Sequence, residues 1–264
     1  MTNIIHISNP NDYKFEDEWL AESTGNNFWI SWRLKFITNS IKRLFPGIIH
    51  KNLNVLDVGC GRNYFSNACA DFSNWTVDGV DIDISSLESA LIGSGCLYFY
   101  DVNDKNFDLH EKYDAIFALD VLEHIDNSCE FIKSMMFHLK PDGIIVCNVP
   151  AIPSLYSIYD LAVGHKCRYS IDSLTKVFNK GGCHILFMSY WGFFLIPFLF
   201  FRRLLLGNSK ALKNNKDSII KKGWHAPKFA INFLKFLGDV ELRIFNQCPY
   251  GTSLLCIVGK APKK

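Results

Sequence analysis

The run Val55-Leu56-Asp57-Val58, followed at once by Gly59-Cys60-Gly61, constrains this chain more than any other segment. A short, mostly apolar run closed by glycines reads as a buried strand ending in a sharp turn. Glycine lets the backbone turn tightly and lets a ligand approach it closely. Residues 63–72 then suit a helix, whose first N–H groups would face whatever occupies the turn.

The pattern repeats down the chain. Strands are expected over 77–82, 96–100, 113–119, 144–149, 184–191 and 253–258, and helices over 84–91, 127–139 and 170–179. Pro141-Asp142-Gly143 reads as a turn and Gly181-Gly182 as a helix stop. Ahead of the first strand, Phe28, Trp29, Trp32, Leu34, Ile37, Ile41 and Leu44 follow helical spacing up to Pro46-Gly47. Strands alternating with helices imply parallel βαβ units in an open, doubly wound sheet. Ligands of such sheets sit outside the carboxyl ends of the strands, where strand order reverses.

Those ends carry carboxylates. Asp81 closes the second strand, twenty residues after Gly61, where a carboxylate can accept hydrogen bonds from two ribose hydroxyls, and Ile82 beside it can cover an adenine face. Asp101 closes the third strand, within reach of an adenine amino group. Each acid alone reads equally as a cap or a surface group; acids at successive strand ends in register point to an adenosine ligand. A nicotinamide dinucleotide fits less well, because Tyr64 stands where its fingerprint needs a third glycine. No phosphate-loop motif occurs either.

With Val55 to Gly61, Gly79-Val80-Asp81-Ile82 and the segment Asp114 to Ile125, which holds Asp120-Val121-Leu122-Glu123-His124, the chain resembles the class I S-adenosylmethionine-dependent methyltransferases, nearest the group containing ubiquinone-biosynthesis O-methyltransferases. The resemblance covers roughly residues 25–190 and the last strand. It implies an α/β, Rossmann-like, seven-stranded sheet with an antiparallel last strand. It also implies S-adenosylmethionine as cofactor: Asp57 orients the methionyl ammonium, Gly59, Cys60 and Gly61 form the turn, Asp81 holds the ribose, Asp101 and the Val102 N–H read the adenine, and the Leu119 carbonyl meets the ammonium. Arg33 matches a position that pairs with the methionyl carboxylate. The chain departs from the family at Asn63, where a further glycine is usual; asparagine tolerates left-handed backbone better than most residues.

On the acceptor side, Gly164-His165-Lys166-Cys167-Arg168-Tyr169 follows the fifth strand and resembles a motif of a subset of the family. His165 can take a proton from a hydroxyl, and Arg168 can hold a carboxylate or phosphate. Tyr169, Asp120 and His124 complete the candidate catalytic set. His165, Arg168 and Tyr169 read also as ties for a long loop, and His124 as a capping or core histidine. Methyl transfer from a sulfonium needs little beyond in-line positioning, so no metal is called for and a general base is optional.

From Trp191 to Phe201 the chain is apolar, and residues 202–228 then hold eight Lys or Arg against the single acid Asp217. Eleven apolar residues fall short of the roughly twenty that span a bilayer. An aromatic run beside a basic one suits a membrane surface; a pocket lining or dimer contact is the plainer reading. No nucleic-acid motif accompanies the lysines. Nine cysteines, an odd number without Cys-x-x-Cys spacing, read as reduced thiols of a cytoplasmic protein.

The resulting division is a helical lead-in over 1–50, a cofactor-binding domain over 51–190 and 250–264, and an apolar and basic insertion over 191–249. The expected activity is methyl transfer to a small-molecule, glycan or lipid-linked acceptor, with oxygen first among receiving atoms. The alternatives are a nicotinamide-dependent oxidoreductase and a catalytically silent S-adenosylmethionine-binding partner subunit.

Overall fold

In the computed structural model, which describes residues 3–8, 28–207 and 228–261, eight strands form one sheet in the order β1-β4-β3-β2-β5-β6-β8-β7. The strands are β1 (Ile4–His6), β2 (Asn54–Val58), β3 (Thr76–Asp81), β4 (Leu97–Phe99), β5 (Tyr113–Leu119), β6 (Leu139–Pro150), β7 (Cys183–Trp191) and β8 (Ser253–Lys260). From β1 to β6 the pairing is parallel, while β8 runs antiparallel between β6 and β7. The parallel, doubly wound arrangement and the reversed last strand agree with expectation.

The count does not, because seven strands were expected. The eighth is β1, in a stretch read as helical lead-in. Its three residues pair with Leu97, Tyr98 and Phe99 of β4 and form the sheet's edge. A strand this short is too brief for periodicity to register. The Pro141-Asp142-Gly143 turn is also absorbed into a strand. Leu139 pairs with Tyr113 and Ile144 with Ala115, so β6 carries these residues as an irregularity in its ladder.

The helices are α1 (Phe28–Leu44), α2 (Tyr64–Cys69), α3 (Ile84–Glu88), α4 (Ser128–His138), α5 (Ile158–Ala162), α6 (Ile171–Lys180), α7 (Ile196–Gly207) and α8 (Lys228–Ile244). Local chemistry starts several of them: Asp83 caps α3 through the Ser85 N–H, Asn127 caps α4 through Glu130, and Ser170 caps α6 through Ser173. Alternate strand residues face two separate cores. Leu56, Ile116, Ile145 and Cys256 pack with Phe131, Ile132, Leu174 and Phe178 of α4 and α6. Val55, Phe117, Val146 and Ile257 pack against Phe28, Trp32, Phe36 and Ile37 of α1. Helix α8 joins this second layer, with Leu234 in the core and Gly238 so close to Trp32 that an added Cβ would lie 2.7 Å from the indole.

Strand order reverses between β2 and β5. Chain order moves outward through β3 and β4, then returns to the other side of β2. The crevice at that point is where a bound molecule is expected.

The apolar run beginning at Trp191 divides its duties. Trp191 ends β7 fully buried, stacked on Trp29 at 4.4 Å, and its indole N–H donates to Asn148. Leu195 and Leu199 are buried, while Phe200, Phe201 and Leu204 are exposed. Among the described residues, no helix is long and apolar enough to cross a membrane. Most of the basic stretch, residues 208–227, lies outside the described residues.

Candidate active site

A cavity of about 360 Å³ lies over the tips of β2, β3, β4 and β5. Among the expected cofactor residues, Arg33, Asp57, Gly59, Cys60, Gly61, Asp81, Ile82, Asp101, Val102 and Leu119 all line it.

The glycine turn is built as its residue types require. Gly59 and Gly61 have φ of 70° and 50°, in the left-handed region where side chains are disfavoured. A Cβ on Gly59 would lie 2.6 Å from Val121, whereas one on Gly61 would meet nothing within 4 Å. Asn63 also takes the left-handed conformation, with φ 63° and ψ 28°, and so fills the glycine position without breaking the turn. Its amide donates to the Leu91 carbonyl at 3.0 Å.

Asp81 is buried. One carboxylate oxygen accepts from the Gly61 N–H at 2.7 Å and the other from the Asp83 N–H at 2.9 Å. Each oxygen keeps a second lone-pair direction for a ligand hydroxyl. Burial pushes its pKa up to about 6, against the backbone N–H groups that hold the charged form. Asp57, also buried, is pushed up to about 7 by burial; Arg33 opposes the rise and Asp81 adds to it. Asp101 caps the turn Val102–Asp104, accepting from the Asn103 N–H at 2.9 Å. Asp101 is therefore a cap whose side chain also lines the cavity.

This donor set fits an adenosyl ligand without a pyrophosphate. It offers buried carboxylates for hydroxyl and ammonium groups and two glycines that leave room at the turn. The helix after the turn opens with Tyr64.

Arg33 takes an unexpected partner. It donates to Asp120, which sits past the end of β5 with φ 61° and also accepts from the Asn148 amide at 2.5 Å. Asn148 in turn accepts from Trp191 at 2.8 Å. A continuous polar chain therefore runs from α1 across the tips of β5 and β6 to the end of β7.

The far side of the cavity holds the other candidates. His165 places Nδ1 3.1 Å from the Asp160 carboxylate and Nε2 3.8 Å from Glu123. Asp160 is fully buried; burial raises its pKa, but His165 and Arg168 outweigh burial and bring it down to about 2. An ionised Asp160 can only accept, so His165 carries its proton on Nδ1 and presents Nε2 as a base. At His124, burial, with His165 adding, pushes the pKa down to about 4, and its Nδ1 meets the Gly164 carbonyl at 3.1 Å.

Arg168 and Tyr169 were expected at the reaction centre, and their groups are engaged elsewhere. Arg168 borders the cavity, yet its guanidinium donates to Asp160 at 2.8 Å and to the Ala151 carbonyl at 3.1 Å, tying the loop to β6. Tyr169 is absent from the cavity wall. Its buried hydroxyl donates to the Leu122 carbonyl at 3.2 Å and meets the Ser128 hydroxyl at 3.3 Å. Burial raises its pKa, which keeps it neutral.

Sequence reasoning missed Glu123, Asp160 and Arg202. Glu123 lines the cavity fully buried, and neither carboxylate oxygen accepts a hydrogen bond. Burial, with Asp120 adding, pushes its pKa up and favours the protonated form. Glu123, His124 and His165 each bring one ligand atom within 4.8 Å of the others, the one described group of this kind able to hold a metal ion.

Comparison with known proteins agrees with this geometry. A methyltransferase-domain family model matches residues 29–186, more than half of the chain. A ubiquinone biosynthesis O-methyltransferase of Rickettsia typhi is 28% identical over 120 residues, covering 44% of this chain and 48% of that protein. The mitochondrial ubiquinone biosynthesis O-methyltransferase of Arabidopsis thaliana is 32% identical over 128 residues, covering 44% of this chain and 39% of that one. The chain thus spans about half or less of the length of these curated relatives. Among solved structures, a putative sarcosine dimethylglycine methyltransferase from Galdieria sulphuraria superposes with a TM-score of 0.58 at 14% identity, covering 88% of this chain and 86% of that one. A match over more than half of the sequence, on this sheet and above this ring of strand-tip carboxylates, places the chain in the methyltransferase-domain family of class I, S-adenosylmethionine-dependent enzymes.

Proposed function

We propose that the protein transfers the methyl group of S-adenosylmethionine to an oxygen of a small, glycan or lipid-linked acceptor. The observation that carries this reading is one continuous cavity, with the glycine turn and Asp81 at one end and the Asp160–His165 pair at the other. The O-methyltransferase names of the relatives over residues shared with this chain favour oxygen.

In this reading Gly59 and Gly61 leave space for the cofactor, Asp81 receives the ribose hydroxyls, and Asp101 with Val102 meets the adenine. Asp57 and the Leu119 carbonyl hold the methionyl ammonium. When bound, the cofactor supplies an electrophilic methyl group on a sulfonium. His165 accepts the acceptor's proton at Nε2, and Asp160 stabilises the imidazolium through Nδ1. Trp29, Leu195 and Leu199 screen the cavity from water, which strengthens these polar interactions.

A membrane-proximal acceptor is supported by Phe200, Phe201 and Leu204, which stand exposed on α7 just ahead of the basic residues. This would place the protein peripherally on an anionic surface of the cytoplasm.

Titration calorimetry with S-adenosylhomocysteine and, separately, with NAD tests the cofactor reading. Binding of the first alone is expected, and Asp81→Ala should weaken it at least ten-fold, the loss of one charge-assisted contact of about 1.5–3 kcal/mol. Failure of S-adenosylhomocysteine to bind would overturn it.

A further inference from the structure

We propose that Glu123 selects the methyl acceptor, by receiving a hydrogen bond from a second hydroxyl that neighbours the oxygen to be methylated. The acceptor is then a polyol with hydroxyls on adjacent saturated carbons, as on a sugar ring. The inference rests on the methyltransferase reading above and deepens it, because it takes His165 as the base that meets the first hydroxyl.

Glu123 lines the cavity at 0% exposure, and neither carboxylate oxygen has a hydrogen-bond partner. Its own N–H lies near enough to favour the charged form, without the geometry of a bond. The neighbouring acids are matched. Asp160 accepts from Arg168 and His165, and Asp120 accepts from Arg33 and Asn148. A buried polar group left unsatisfied costs free energy, and its presence in a folded chain calls for a reason. An acceptor that brings the missing donor supplies one. An ionised carboxylate accepts on both oxygens and a protonated one still accepts, so the reading holds in either state.

The backbone, not a side-chain bond, holds this carboxyl in place. Tyr169 donates its hydroxyl to the Leu122 carbonyl at 3.2 Å, the Lys166 N–H donates to the Glu123 carbonyl at 2.8 Å, and His124 donates from Nδ1 to the Gly164 carbonyl at 3.1 Å. All three residues of the turn Leu122–His124 are thus pinned by the loop 164–169, which also carries His165. Glu123 and the proposed base are therefore set against each other before any acceptor arrives.

Their spacing says what fits. Oε1 of Glu123 lies 3.8 Å from Nε2 of His165, too far for a hydrogen bond between them. Two receiving atoms stand side by side, spaced like donors carried on neighbouring carbons. A hydroxyl that gives its proton to Nε2 leaves an adjacent hydroxyl opposite Oε1. Glu123 orients the acceptor in this scheme and exchanges no proton.

The test uses the whole chain saturated with S-adenosylhomocysteine and titrated, with ligand-observed NMR, against three probes that share one ring: vicinal cis-cyclohexanediol, its isomer with hydroxyls on opposite ring carbons, and cyclohexanol. The parent should bind the vicinal diol at least about five-fold more tightly than either of the others, the scale of one added hydrogen bond. Glu123→Met, similar in length and without the carboxyl, should bring the three within about two-fold of one another while binding S-adenosylhomocysteine as the parent does. If Glu123→Met no longer holds S-adenosylhomocysteine, Glu123→Leu replaces it with the same expectation. Equal binding of the three probes by the parent, or no binding of the vicinal diol, overturns the inference. So does an undiminished preference in a variant that still holds S-adenosylhomocysteine, and so does loss of S-adenosylhomocysteine by both variants, which would make Glu123 a support of the fold. Failure of the parent itself to bind S-adenosylhomocysteine overturns the cofactor reading instead, and this inference with it.

Discussion

Arg33 of the first helix donates to Asp120 at the tip of β5, joining residues 87 positions apart in the chain. The pair is mostly shielded, with side-chain exposures of 14% and 24%. It closes one end of the cavity, where the methionyl group of the cofactor is proposed to lie. Replacing Arg33 by Met should cost roughly 1–2 kcal/mol of stability, between the values for exposed and buried pairs. It should also weaken S-adenosylhomocysteine binding by about ten-fold if the same guanidinium reaches the methionyl carboxylate. Thermal denaturation with and without ligand separates the effects; an unchanged ligand-induced shift would confine Arg33 to holding α1.

If Asp57 meets the cofactor's ammonium as proposed, cofactor binding should depend on pH. Its folded-state pKa of about 7 lies above the ordinary 3.8, so the folded chain without ligand holds a proton that the unfolded chain has lost. This group's contribution to stability therefore falls as pH rises from about 4 to about 7. A cationic ammonium binds the ionised form. Affinity for S-adenosylhomocysteine should accordingly rise between pH 6 and 8, by up to about ten-fold, and level off above. Asp57→Asn should flatten this dependence. A wild-type affinity that does not change with pH would rule out direct contact between Asp57 and the ammonium.

His165 and Tyr169 should part company in kinetics. His165→Ala should lower turnover by about 10²- to 10⁴-fold with little change in cofactor affinity, the range for a lost general base. Tyr169→Phe removes a buried hydroxyl that caps the Leu122 carbonyl, so it should cost about 1 kcal/mol of stability and leave turnover within about two-fold. Equal losses in both variants would mean that His165 only braces its loop. Single-turnover rates under saturating cofactor make the comparison.

Phe200 and Phe201 are 54% and 60% exposed on one helix. Replacing both with Ser should abolish flotation with phosphatidylglycerol vesicles at low salt and leave S-adenosylhomocysteine binding unchanged. Flotation by neither parent nor variant would dismiss the membrane surface as a partner.

The strands were legible where the sheet is buried on both faces. Asn54–Val58 and Tyr113–Leu119 read as apolar runs because both of their faces meet helices. Ile4–His6 was not, since an edge strand of three residues carries no period and takes its form from β4. The cavity-lining residues after β2 to β5 were legible because strand ends fix their place. The acceptor residues were not, because direction decides their role. Tyr169 follows Arg168 in sequence but turns its hydroxyl toward Leu122 and Ser128. Glu123 lay in view between Leu122 and His124; its meeting with His165 is a tertiary fact, across forty-two positions of chain. Arg202 read as the first of a basic series, yet it is turned inward where its neighbours are not.

The carboxylate of Glu241 on α8 is almost wholly buried and accepts from the N–H groups of Gly192 and Phe194, at the start of the segment that bears α7. One inward-facing acid thus ties α8 to the turn that follows β7, while the methyl donor's proposed place is made from β2 to β5. The two regions come from separate stretches of the chain. Substitutions in α7 can therefore reshape the cavity wall at Phe198 and Leu199 without touching the turn after β2.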